Sequence, residues 1–300
     1  MYIGAATGGV WKSTDNGTTW SPTTDDRGSL AIGAIAIDPN KSSRIFAGTG
    51  EYHPADEGAS VYYGNGLLLS EQGGQPGSWK ELAASQFERD EITRVLFDPT
   101  NDATSQRMFL SSATGVYEST NGGAFWQLLR AGSASDLVAI FNPGSPPTVQ
   151  LIAAFYGEGL YTSTRTGSTW SAWAQIESNA YPASFGRIAL GQCRDVPQTI
   201  WAAFSAGAGG TIAGLAKTDT GGASWVSVPW TPQLPYPSLA YNYQTWYNLL
   251  IAVHPKDPDI VYLGEVQLWK KPKGSGSWAH ISADDPATPP PYHAIHVDQH

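Results

Sequence analysis

The stretch Ser13-Thr14-Asp15-Asn16-Gly17-Thr18-Thr19-Trp20 decides the reading of this chain, because it comes back. It returns as Ser119-Thr120-Asn121-Gly122-Gly123-Ala124-Phe125-Trp126 and as Ser163-Thr164-Arg165-Thr166-Gly167-Ser168-Thr169-Trp170. A fourth copy is Thr218-Asp219-Thr220-Gly221-Gly222-Ala223-Ser224-Trp225. Two degraded copies run from Ser70 to Trp79 and from Lys271 to Trp278. The closing tryptophans, Trp20, Trp79, Trp126, Trp170, Trp225 and Trp278, are spaced by 59, 47, 44, 55 and 53 residues. Each interval has room for four short strands, which is the repeat length of a propeller blade.

What precedes each copy repeats as well. A short strand led by glycine comes immediately before, as in Gly9-Val10-Trp11-Lys12 and Gly115-Val116-Tyr117-Glu118. A second apolar strand lies earlier, at 44–47, 107–110, 149–153, 199–203 and 259–263. Earlier still is a third, at 34–38, 93–98, 137–142, 186–191 and 249–254, four of the five closed by a proline turn. Short apolar runs punctuated by Gly, Pro and Asn/Asp read as all-β. The expected unit is strand A, turn, strand B, loop, strand C, the repeated turn, strand D. No convincing helix is visible, and residues 83–91 have room for one turn at most.

Composition agrees. The chain has 300 residues, 14% of them charged, with 33 Gly, 21 Pro, 12 Trp and 14 Tyr. That is too rich in Gly and Pro for a helical bundle and too aromatic for disorder. The net charge of −9 and the lack of any basic run argue against a nucleic-acid partner. No apolar stretch reaches 18 residues, so no membrane span is expected. The single Cys193 cannot form an intrachain disulfide. The N-terminus reads as a strand and not as a signal peptide.

The pattern S-x-D-x-G-x-T-W resembles the Asp-box, or BNR repeat. That repeat occurs in sialidases, xyloglucanase-like glycoside hydrolases, sortilin-type receptors and propeller-type photosystem assembly factors. The resemblance covers essentially the whole chain and is greatest to the sortilin (VPS10-like) and xyloglucanase-like propeller group. It implies an extracellular or periplasmic location and turns that lie opposite the ligand face. The box is expected to be structural. Ser13 and Asp15 bond the turn, Gly17 supplies a positive φ, and Trp20 packs between sheets. Gly123 and Trp126, Gly167 and Trp170, and Gly222 and Trp225 repeat that role. The position of Asp15 is held by Asn121, Arg165 and Thr220 in other copies, which a catalytic role would not tolerate.

These units predict one β-propeller domain over 1–300, with about six blades of four antiparallel strands. A partial blade at 1–28 is followed by blades at about 31–86, 90–132, 134–178, 183–232 and 245–283. A strand within 293–300 is expected to complete the first blade and close the ring. The alternative is a piece of a seven-bladed or two-propeller protein.

Function is carried by the face bearing the B–C and D–A loops. The loop 50–64 holds Glu51, His53, Asp56, Glu57 and Tyr62, a set suited to a sugar or cation. The connection 228–247 holds Trp230, Tyr241 and Trp246 among three prolines, a stiff platform for stacking. His53, Tyr62, Trp230, Tyr241 and Trp246 are therefore ligand-binding candidates. Glu51, Asp56, Glu57 and Glu265 are the carboxylates available for glycoside hydrolysis, which needs an acid and a base or nucleophile. The bland reading of the first set is a solvated acidic loop, and of the second a packed rim. His296, Asp298 and His300 alternate on one strand face and form a weak metal candidate. No cofactor is expected.

Two features separate the chain from the enzymes it resembles. None of its arginines lies in the Arg-Ile-Pro-type motif of sialidases. The Asp-Ile-Gly-Gly setting of xyloglucanase-like enzymes survives only as Gly8-Gly9, without its aspartate. The expectation is a monomeric, non-catalytic binding module or scaffold for a protein or carbohydrate ligand. A xyloglucanase-like or sialidase-like glycoside hydrolase is the alternative.

Overall fold

The computed structural model describes residues 1–53, 62–100, 106–207, 210–230, 232–233, 244–265 and 267–281. Within them lie six antiparallel sheets in a ring, a six-bladed β-propeller. The first sheet is β1 (Tyr2–Ala5), β2 (Gly9–Lys12) and β3 (Ser21–Pro22). The second is β4 (Ile32–Ile37), β5 (Ile45–Thr49), β6 (Leu67–Ser70) and β7 (Trp79–Leu82). The third is β8 (Ile92–Phe97), β9 (Met108–Ser112), β10 (Gly115–Ser119) and β11 (Gln127–Ala131). The fourth runs from β12 (Ala134–Asn142) through β13 (Thr148–Phe155) to β14 (Gly159–Thr166), which pairs with both β15 (Thr169–Trp170) and β16 (Ala174–Ile176). The fifth is β17 (Ile188–Gln192), β18 (Ile200–Ser205), β19 (Ile212–Thr218) and β20 (Val226–Val228). The sixth is β22 (Leu250–Val253), β23 (Val261–Gly264), β24 (Leu268–Lys271) and β25 (Trp278–His280), with β21 (Pro232–Gln233) added parallel to β25.

Burial explains the apolar pattern. Second strands such as β5, β9 and β18 are buried at every residue, since neighbouring strands and neighbouring sheets cover them on all sides. Among the described residues, five hydrophobic clusters lie between consecutive sheets, one at each successive interface. Side chains of β17 and β18 divide between two of them by strand alternation. Ile188, Leu190, Ile200 and Phe204 face the fourth sheet, whereas Ala189, Trp201 and Ala203 face the sixth.

The repeated turn does two jobs. Its first Ser or Thr accepts the N–H of the glycine four residues on: Ser13 from Gly17 at 2.8 Å, Ser119 from Gly123 at 2.9 Å, Thr218 from Gly222 at 3.1 Å. Its third residue accepts the N–H four further on: Asp15 from Thr19, Asn121 from Phe125, Thr220 from Ser224. Asp, Asn and Thr interchange there because each presents an oxygen acceptor. The glycines Gly17, Gly123 and Gly222 have φ of 87°, 84° and 90°. The closing tryptophan then packs back against the preceding sheet. Trp126 joins Phe46 and Leu67 of the second sheet, and Trp278 lies edge-on to Trp201 of the fifth.

Two expectations are corrected. Residues 163–170 do not fold as the repeated turn. Strand β14 continues to Thr166 and returns at Thr169, and Ser163 Oγ bonds Ser171 instead of a glycine N–H. Arg165 offers no acceptor in place of Asp15, so the turn has nothing to hold it. One helical turn, α1 (Thr245–Asn248), stands where the sequence shows no convincing helix, too short to show helical periodicity.

Close approach of sheets two and three fixes one glycine. A Cβ on Gly33 would meet the carbonyl oxygens of Ile92 at 2.3 Å and Gly50 at 2.6 Å, and backbone cannot step aside. Gly276 has open space around it. G33A is expected to lower stability by about 1–3 kcal/mol and G276A by less than about 0.5 kcal/mol, read from urea unfolding midpoints.

Candidate functional site

Strands β4, β8, β12, β17 and β22 are innermost in their sheets, and each enters from the face that carries the long loops. Three of them begin with an irregular register against the next strand: between Ile32 and Ala34, Ile92 and Arg94, and Ala134 and Asp136. Such a bulge re-aims side chains beside a site. Here it turns consecutive residues, Thr93 with Arg94 and Ser135 with Asp136, to the central channel. The channel holds a cavity of about 890 Å³, walled by these strand heads, by Tyr2 to Gly8 and by Trp11.

Asp136 and Arg94 form a bidentate pair across two sheets, with Nε and Nη2 donating at 2.8 and 2.9 Å. Asp136 also accepts the N–H groups of Leu137 at 2.8 Å and Leu190 at 2.7 Å. Arg187 stands at the head of β17, 6% exposed, its Nη1 donating to the Tyr247 carbonyl.

Residues 51–53, which leave the second sheet after β5, form a strap at the channel mouth. Tyr52 is buried, and its hydroxyl bonds Ser133 at 2.8 Å in the connection to the fourth sheet. Burial pushes its pKa up to about 12. The Arg187 guanidinium lies 5.3 Å from the Tyr52 ring centre. The His53 ring meets Trp246 of α1 edge-on at 5.2 Å, while its backbone N–H donates to Glu91 Oε2 at 2.9 Å. One loop thus touches the connections into the third, fourth, fifth and sixth sheets.

Three carboxyl groups are buried here: Glu51, at the start of the strap, and Asp90 and Glu91 of the connection into the third sheet. Asp90 accepts the hydroxyls of Ser112 and Thr114 and the N–H of Glu91. Glu91 has its pKa raised to about 7, first by burial and then by the charges of Asp90 and Glu51, against the bond from His53. A carboxyl held near neutrality is the property a general acid needs. None of the three is among the residues that wall the cavity.

Other residues singled out by the sequence lie apart. Glu265 is buried between β23 and β24 and accepts the Trp269 indole N–H at 3.3 Å. Trp230 is half-buried, edge-on to Trp269 and Trp278 at 5.6 and 5.2 Å. Tyr62 is 55% exposed. Asp56, Glu57, Tyr241, His296, Asp298 and His300 lie outside the described residues. Among the described residues no cluster of three metal-ligating side chains occurs, and no helix is long and apolar enough to cross a membrane. Asp90, Glu91, Arg94, Asp136 and Arg187 were not singled out by the sequence. Their shared signal is a charged residue at the head of an apolar innermost strand.

The geometry defines a six-bladed propeller with a strapped, charged channel mouth. The chain is similar to xyloglucanases. It is 27% identical over 229 residues to one from Hypocrea jecorina, covering 60% of this chain and 25% of that protein. It is 24% identical over 299 residues to one from Paenibacillus sp, covering 94% of this chain and 24% of that protein. The chain therefore spans about a quarter of the length of the curated relatives it matches. In fold it is similar to the GH74 enzyme of Niastella koreensis, with a TM-score of 0.60 and 17% identity over 90% of this chain and 42% of that one. No family model matches the chain.

Glu91 makes stability depend on pH. Its folded pKa of about 7 lies above its ordinary value of 4.5, so between these limits the folded state holds more proton than the unfolded one. Its contribution to stability falls as pH rises from about 4.5 to 7 and is level above that. E91Q is expected to flatten this slope, which is at most about 1.4 kcal/mol per pH unit for one group. Urea midpoints at pH 5 and pH 8, wild type against variant, check it.

Proposed function

We propose that the chain is a polysaccharide-binding β-propeller that recognises its ligand at the strapped channel mouth without cleaving it. One observation carries this reading. Among the described residues, the only carboxylate walling the 890 Å³ cavity is Asp136, and its oxygens are engaged by Arg94 and two backbone N–H groups. A glycan in that cavity meets hydroxyls, backbone, Trp11 and a guanidinium, a surface made for binding. The absence of an aspartate before Gly8-Gly9 supports the same reading. Carbohydrate as the ligand class rests on the names of the relatives, which are xyloglucanases. A single monomeric domain of Asp-box type, working outside the cell or in the periplasm, fits this role.

A second reading has its own observation. Glu91, with a pKa near 7 beside Glu51, has the makings of a general acid paired with a carboxylate. In that reading the strap moves aside and the protein is a glycoside hydrolase.

One experiment separates them. Xyloglucan and other plant and bacterial polysaccharides are tested by calorimetric titration and by reducing-end release. Binding without release is expected, with W11A weakening it roughly tenfold or more, as loss of an anchoring ring does. Release that disappears in E91Q and E51Q overturns the binding reading in favour of hydrolysis. Neither binding nor release on any substrate overturns both.

A further inference from the structure

Arg187 is the side chain that the fold holds at a cost and leaves incompletely used. It is 6% exposed and walls the channel cavity. Its Nη1 donates to the Tyr247 carbonyl, but its Nε has no hydrogen-bond partner among the described residues. No described carboxylate pairs with it. The acid whose field it feels is Asp136, and both oxygens of Asp136 already serve Arg94. Tyr52, at 5.3 Å, offers a ring face and no negative charge.

An arginine cannot shed its proton to escape this position. Burying a charge without a counter-charge is strongly unfavourable. Burial depresses the Arg187 pKa, as expected for a cation short of compensation. Among the described residues of the cavity wall, Arg94, Asp136 and Arg187 are the charged ones and leave one positive charge in excess, in a protein of net charge −9. A local excess of positive charge in an acidic protein selects for an anion at that point.

The rest of the wall says which kind. The guanidinium is a planar fork that matches a carboxylate. On the same cavity wall stand hydroxyl oxygens of Thr7, Thr93 and Ser135, which can accept from sugar hydroxyls, and the ring of Trp11. A volume of about 890 Å³ has room for more than one pyranose ring. We propose that the channel mouth is a site for an acidic glycan, with the carboxylate of a hexuronic acid residue seated on Arg187. This rests on the glycan-binding reading above and names the sugar it prefers.

The test compares a glucuronic-acid-bearing xylo-oligosaccharide with the same oligosaccharide after its carboxyl is reduced to the alcohol. Both are titrated calorimetrically into wild type and R187Q, with inorganic phosphate as a control anion. Wild type is expected to bind the acid at least tenfold tighter than the reduced form, and R187Q to bring that ratio near one. Raising the salt concentration is expected to narrow the ratio in wild type. The wild-type ratio stands as the test if R187Q does not fold. Equal binding of both forms overturns the inference and leaves the glycan-binding reading intact. Binding of phosphate as tight as the acidic sugar also overturns it. Loss of binding to both sugars, and to every polysaccharide above, overturns the two together.

Discussion

Asp136 is the constraint around which the channel is organised. It is buried, its two oxygens take four hydrogen bonds, and those bonds come from three sheets: Arg94 from the third, Leu137 from its own and Leu190 from the fifth. A carboxylate so placed needs every partner, because an uncompensated charge in the interior costs several kcal/mol. Its demand fixes how far the innermost strands stand apart. Neighbouring bonds follow the same pattern, with Thr93 Oγ1 donating to the Ala134 carbonyl at 2.9 Å and Ser135 Oγ to the Ile188 carbonyl at 2.7 Å. Strand heads are thus tied side to side by polar groups at the loop face, while the clusters behind them are apolar. The bulged register is what makes this possible, since a regular strand would send Asp136 and Ser135 to opposite faces.

The strap at the mouth is built differently. It is fixed by a few directional contacts spread over four connections, and one end of it rests on a carboxyl poised near neutrality. Rigid channel and conditional strap therefore meet at Tyr52, which belongs to both: its ring walls the cavity and its hydroxyl anchors the loop to Ser133.

Much of the architecture was legible in the sequence because each unit repeats its own chemistry. Ser13, Gly17 and Trp20 announce a turn wherever their counterparts recur, and apolar runs such as Ile45–Thr49 mark buried strands directly. The reading failed where identity of the word concealed a change of acceptor, as at Arg165, and where one helical turn was too brief to show a period. The site was less legible for a physical reason. Glu91, Asp136 and Arg187 are set near one another by the packing of consecutive sheets around the channel, from positions 45 and 51 residues apart, about one blade each, where the turn-and-tryptophan word does not reach. Their sequence neighbourhoods look like ordinary strand beginnings. Glu51 and His53 were visible as an acidic loop, but the burial of Glu51 and the contacts of His53 with Glu91 and Trp246 depend on the third and sixth sheets.

The backward reach of the closing tryptophans has a consequence for how such a chain grows. Trp126 seals the face of the second sheet although it belongs to the third, and Trp278 seals the fifth although it belongs to the sixth. The segment that repeats in the sequence is therefore not the piece that is complete in space. A duplicated segment arrives carrying the ring that caps its predecessor, so every new blade brings the means of its own docking. Assembly can extend in one direction by simple copying, and a lost segment bares a surface on the neighbour that came before it.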